Sequence, residues 1–161
     1  MGANELSMHL WRERELLEML LFKLEEQELL LAAGRSRWIH FATREVEQVL
    51  ERIRQEGLGR AVEVSGVAEE WGAPDDATLR QLIEHAPTDA WRDVFTEHLR
   101  AMTELTAEVA QRRDANEVHL RAAVRATQEA IAGLGIRTGE YDADGTVGPD
   151  DSSPRIVDTA L

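Results

Sequence analysis

The side chains here that could carry chemistry are five histidines, His9, His40, His85, His98 and His119, set among 31 acidic residues with no cysteine. Imidazoles beside carboxylates suit metal binding or acid–base work, so their spacing decides. A di-iron helical bundle carries Glu-x-x-His pairs. The residues three before the histidines are Leu6, Arg37, Leu82, Phe95 and Asn116, which excludes that class. The H-E-x-x-H zinc pattern is absent, as are the glycine-rich phosphate-binding loops and the G-x-S-x-G nucleophile turn. His40, His98 and His119 fall on expected helices, so a histidine phosphotransfer bundle, in which one exposed imidazole accepts phosphate, stays open. No catalytic, cofactor-binding or metal-binding residue is assigned, and what remains is the chemistry of surfaces.

Composition bounds the partners. The 161 residues are 43% hydrophobic and 30% charged with only four Pro, which suits one soluble, helix-rich domain. The net charge of −13 argues against nucleic acid, whose footprint is basic, and against an anionic membrane surface. Without cysteine there are no disulfides and no thiolate metal sites, which fits a cytoplasmic home. Met1 to Met8 lacks the basic-then-apolar pattern of a signal peptide. The longest apolar run, Leu29 to Ala33, falls far short of the roughly 20 residues that span a bilayer, so no membrane insertion is expected.

The elements that position any surface are helices. From about Thr88 to Leu134 no Pro or Gly interrupts the chain until Gly133. As one helix at about 1.5 Å per residue this segment spans on the order of 65–70 Å. Phe95, Met102, Val109, Asn116, Ala123 and Ala130 recur at seven-residue spacing along it, apolar first and small or polar from Asn116 onward. Such a stripe needs partner helices to bury it. The first partner runs over about 5–33, with Leu10, Leu17, Leu24 and Leu31 on one line, widened by Met19 to Leu21. Its intervening charges, Arg12 to Glu15 and Glu18 to Glu28, read as a solvated face, and Gly34 supplies its C-cap. The second partner runs over about 36–56, capped by Ser36 and striped by Ile39, Ala42, Val46, Val49 and Ile53, and ends at Gly57 or Gly59. Two helices joined by so short a turn lie antiparallel.

A looser connector, 58–87, follows, with a short helix over about 76–85 capped by Asp75 or Asp76; Ala61 to Trp71 could be one or two helical turns, or Ala61 to Val64 a short strand. The long helix then covers about 89–133. The expected fold is all-α, an antiparallel hairpin packed on one long C-terminal helix, with residues 1–134 as its helical domain. From Arg137 to Leu161 two basic residues stand against six acidic ones among Gly, Pro and Ser, so 135–161 reads as a flexible acidic tail. Trp11, Trp38, Trp71 and Trp91 lie near helix starts or the connector, where packing over a helix end competes with partner contact. Asn116, polar in an apolar seam, reads as a register device.

The chain resembles the FlgN-like flagellar export chaperones of actinobacterial type. The resemblance is carried by the hairpin-plus-long-helix plan over Leu10 to Leu134 and by Arg113 to Leu120, which is similar to the family's Asn-x-x-Asn followed by leucines. It is carried most specifically by Tyr141-Asp142-Ala143-Asp144-Gly145, which matches the Tyr-x-x-x-Gly element after the long helix. Arg113 stands where the family tends to have its first Asn, and His119 where a Leu is common.

The resemblance implies a cytoplasmic chaperone of type III protein export without catalytic activity or cofactor. It would bind hook-associated (hook–filament junction) proteins and dock on the cytoplasmic domain of the export gate during flagellum assembly. Client binding then falls to Asn116, Leu120, Ala123, Val124, Thr127 and Ile131, a seam the hairpin is expected to leave uncovered. Gate docking falls to Tyr141, Asp142 and Gly145. A homodimer stays open, and the rival reading is a structural coiled-coil protein that self-associates through its long stripe.

Overall fold

A computed structural model describes residues 2–137, with side chains through Leu134. Its helices are α1 (Gly2–Ala32), α2 (Ile39–Trp71), α3 (Leu79–Glu84) and α4 (Asp89–Arg137), with a 3₁₀ turn, Ser36–Trp38, between the first two. Among the described residues there is no strand, and the fold is all-α. The chain divides into two units, Met1–Ala122 and Ala123–Leu161, so that α4 belongs to both. The tail expected over 135–161 lies almost wholly outside the described residues.

Gly34, at φ 66°, ends α1 as its position suggests. The Arg35 N–H donates to the Leu30 carbonyl at 2.9 Å and the Gly34 N–H to that of Leu31 at 3.1 Å, the paired bonds of a Schellman end. The second helix differs from expectation. Ser36 does not cap it, because the residue lies inside the 3₁₀ turn and α2 begins three residues later without a side-chain cap. Nor do Gly57 and Gly59 end it; of the two readings of the stretch from Ala61, the helical one holds, and it is part of α2 rather than a separate turn or a strand. The chain stays helical until Gly72 at φ 69°, where the Ala73 N–H reaches the Ala68 carbonyl at 2.8 Å and repeats the Schellman end.

The physical reason lies across the interface. A Cβ built on Gly59 would sit 2.7 Å from Cε1 of His9, so this glycine serves close approach of α1 rather than a stop. Polar pairs flank the crossing. His9 Nδ1 lies 2.7 Å from a Glu56 carboxylate oxygen, and the Arg60 guanidinium donates to Glu13 at 3.0 Å. Glu13 is therefore buried against α2, not solvated as its place among the α1 charges implies.

The expected 58–87 connector shrinks to a turn over residues 72–78 and α3. Thr78, not Asp75 or Asp76, caps that helix. Its hydroxyl accepts from the Gln81 N–H at 3.3 Å while the Gln81 side chain accepts from the Thr78 N–H at 2.8 Å. The α4 N-terminus falls as expected, with Thr88 Oγ1 accepting from the Trp91 N–H. Beyond the expected end at 133, α4 continues through Gly133 and Gly135 to Arg137.

Contacts fix the directions. Ser7 meets His98 and Glu28 meets Arg112, so α1 and α4 run parallel; His9 meets Glu56 and Gln27 meets Thr43, so α1 and α2 run antiparallel. The hairpin packs on the long helix. One core cluster joins Leu6 and Leu10 to Val67, Leu82 and Phe95. Each such fully buried large side chain contributes about 1.5–3 kcal/mol. Trp71 and Trp91 pack on Phe95 at 5.6 and 5.5 Å between ring centres, so these two tryptophans serve the core. A second cluster, Leu20, Leu24 and Val49, receives Val109.

Candidate functional site

On α4 the seam is filled stepwise. After Phe95 comes His98, only 2% exposed, edge-on to the Trp11 ring at 5.2 Å. Arg14 can only donate, and its Nη1 lies 3.5 Å from His98 Nδ1, so Nδ1 accepts and the Nε2–H donates to Ser7 Oγ at 3.2 Å. Burial, reinforced by the Arg14 charge, holds the imidazole below its usual pKa. A neutral, enclosed His98 is badly placed to accept phosphate. His40 and His119 are exposed, and His40 lies against the Phe41 ring.

Farther along, Arg112 donates to Glu28 at 2.8 Å, and that carboxylate holds the guanidinium above its usual pKa. Asn116 follows, 2% exposed. Its Nδ2 donates to the Leu24 carbonyl at 2.7 Å and to Gln27 Oε1 at 3.1 Å, while Gln27 Nε2 donates to Thr43 Oγ1 at 2.9 Å. The polar seam residue thus links α4 through α1 to α2, with its own Oδ1 left buried and unpartnered. One such acceptor costs about 1–3 kcal/mol, which fits a group kept to set register rather than strength.

Of the other residues assigned to client binding, Leu120 is half-buried. In the second unit Ala123, Val124, Thr127 and Ile131 are all exposed, Ile131 by 64%. Thr127 Oγ1 donates to the Ala123 carbonyl at 3.0 Å, so its hydroxyl is spent on its own helix. From Arg121 to Leu134 every residue is exposed. This is a helix surface of small and moderate apolar residues without a catalytic constellation. Tyr141, Asp142 and Gly145 lie outside the described residues.

The model of the FlgN protein family matches residues 1–148. The chain belongs to the FlgN family. That membership supports a flagellar chaperone role in general terms. No curated protein and no solved structure matches the chain. No described helix is long and apolar enough to cross a membrane. Among the described residues no three His, Cys, Asp or Glu gather where they could hold a metal ion.

Sequence reasoning missed one exposed feature of this FlgN-family chain. The α1 face taken as simply charged also carries Met8, Trp11, Met19, Phe22 and Leu29, all exposed. Met19, expected to widen the inner seam, points away from the core instead. The signal was present as the spacing of Met8, Glu15, Phe22 and Leu29, a second line beside the leucine stripe.

Proposed function

We propose that this FlgN-family chain holds hook-associated flagellar proteins in the cytoplasm and delivers them to the cytoplasmic domain of the export gate. The observation that carries the reading is the exposed run of α4 after Leu120, which includes Val124 and Ile131. Leu120, Val124, Thr127 and Ile131 recur at three- and four-residue spacing, with Ala123 beside them, the pattern an amphipathic client helix meets. Asn116, held by Leu24 and Gln27, marks the inner end of that surface. Binding works by mass action. It covers the client's apolar face and so prevents that face from pairing with itself.

Tyr141, the single tyrosine, lies with Asp142 and Gly145 in an acidic, glycine-bearing segment. We assign these three to the export gate. A single aromatic anchor among acidic residues suits weak, exchangeable docking. The reading requires no catalysis and no cofactor.

Co-expression of the full chain with a hook-associated protein, followed by co-purification, tests this function. A stable one-to-one complex is the expected result. Absence of any complex, together with normal filaments in a deletion strain, overturns it. A stable homo-oligomer by sedimentation at micromolar concentration favours the self-associating rival instead.

A further inference from the structure

We infer that the outer face of α1 is a second docking surface, and that its occupant is a basic amphipathic helix of another protein. The face is separate from the α4 surface proposed for the client and does not depend on that assignment. Met8, Trp11, Met19, Phe22 and Leu29 lie on the side of α1 away from α2, Trp11 with its ring also against His98 of α4, and Phe22 is exposed by 56% and Leu29 by 66%. Their spacing of three, eight, three and seven follows the helical repeat, with Glu15 and Glu26 at the intervening positions. Over Met8 to Leu29 the stripe runs for about 32 Å at the α-helical rise, long enough to seat some six turns of a partner helix. Two of the five are methionines, whose unbranched thioethers adapt to a partner's shape.

Charge identifies the occupant. Glu15, Glu18 and Glu25 flank the stripe, all exposed and without an ion-pair partner among the described residues. The cations on this face are exposed Arg12, Arg14, whose guanidinium lies 4.3 Å from the Trp11 ring centre, and Lys23, which lies 5.3 Å from that of Phe22 and is tied to Glu26 at 3.5 Å and Glu45 at 2.8 Å. The local sign agrees with the net charge of −13, so near contacts and long-range steering favour the same cationic partner. Two other occupants meet like charge. A second copy of the chain would bring two glutamate rows together. Residues 138–161 of the same chain hold six acidic side chains against one basic. A helix with leucines at three- and four-residue spacing and lysines on both flanks satisfies the stripe and its rim together.

The probe is a synthetic helical peptide of about 20 residues of that pattern, titrated into the full chain by fluorescence anisotropy. One control replaces its lysines with glutamates; another keeps its composition and scrambles its leucines. The lysine peptide is expected to bind at micromolar concentration and weaken as salt rises, with both controls at least about tenfold weaker. Phe22→Ser and, independently, Met19→Ser should each weaken binding about tenfold with the chain's unfolding transition unchanged, because both side chains are exposed. Equal binding of the scrambled peptide reduces the face to bulk charge and overturns the proposal. So does binding that neither variant weakens, absence of binding, or a homodimer by sedimentation that Phe22→Ser dissociates.

Discussion

Three glycines inside α2 offer a test in which one substitution should change sign along one helix. Gly66 has nothing within 4 Å of the place where a Cβ would stand. Gly66→Ala should therefore yield the full propensity gain, about 1 kcal/mol. Gly57 meets only a Glu13 oxygen at 3.5 Å, an ordinary contact, and alanine there should stabilise by nearly as much. At Gly59 the added methyl would lie 2.7 Å from His9 Cε1 and 3.2 Å from Nδ1, so the ring must move. That movement breaks the 2.7 Å contact with Glu56, worth about 1–2 kcal/mol for a half-buried, charge-assisted pair. Overpacking adds about 1 kcal/mol or more. Set against the propensity gain, Gly59→Ala should destabilise by roughly 1–2 kcal/mol. Urea unfolding at constant slope reads these values directly, and the thermal midpoint should fall by about 2–4 °C per kcal/mol. His9→Ala on the Gly59→Ala background should remove the clash and restore part of the loss. A Gly59→Ala chain as stable as Gly66→Ala would refute close approach as the reason α2 runs through its glycines.

Asn116→Asp should destabilise by about 3 kcal/mol or more, because a buried carboxylate would replace the Nδ2 donor opposite two acceptors, the Leu24 carbonyl and Gln27 Oε1; Asn116→Leu should cost far less, and urea titration compares them. The folded state depresses the His98 pKa, so below about 6.5 the unfolded chain binds a proton that the folded chain resists. Stability is therefore fully present above that pH and falls as pH drops through the folded pKa, and His98→Gln should flatten this decline in unfolding measured from pH 7 to pH 5. Glu45 and Glu97, held below their usual pKa by Lys23 and Arg100, add a separate loss only at more acidic pH. Ile131→Glu should change stability by less than about 0.5 kcal/mol, since the side chain is exposed, yet abolish co-purification of a hook-associated client.

The helical class, the hairpin and the N-terminus of α4 were legible because leucine spacing and a glycine after the last periodic residue are local signals. The length of α2 was not. Gly57 and Gly59 carry the local signature of a helix end, and only the nearby His9, some fifty positions earlier, turns Gly59 into a contact residue. Gly34 and Gly72 show the contrast, since each adopts the left-handed conformation that glycine favours. Glu13 was misplaced for a related reason. Among alternating charges nothing local separates the carboxylate that meets Arg60 from those that meet water. That Asn116 is a polar residue within the apolar seam was legible, whereas its link through Gln27 to Thr43 depends on three helices at once.

These long-range polar contacts converge on α1. His9, Glu13, Lys23 and Gln27 face α2, while Ser7, Arg14 and Glu28 face α4, with the Leu24 carbonyl taken by Asn116. Leucine and valine seams tolerate a slip of one turn, about 5.4 Å, because each apolar side chain finds another. The polar set does not. A slip leaves buried Glu13 without Arg60 and Asn116 without both acceptors, at about 1–3 kcal/mol for each stranded group. The hairpin's alignment on α4 is thus set by its costliest contacts rather than its most numerous. The polar set ends at Asn116, and beyond it lies the surface proposed for the client.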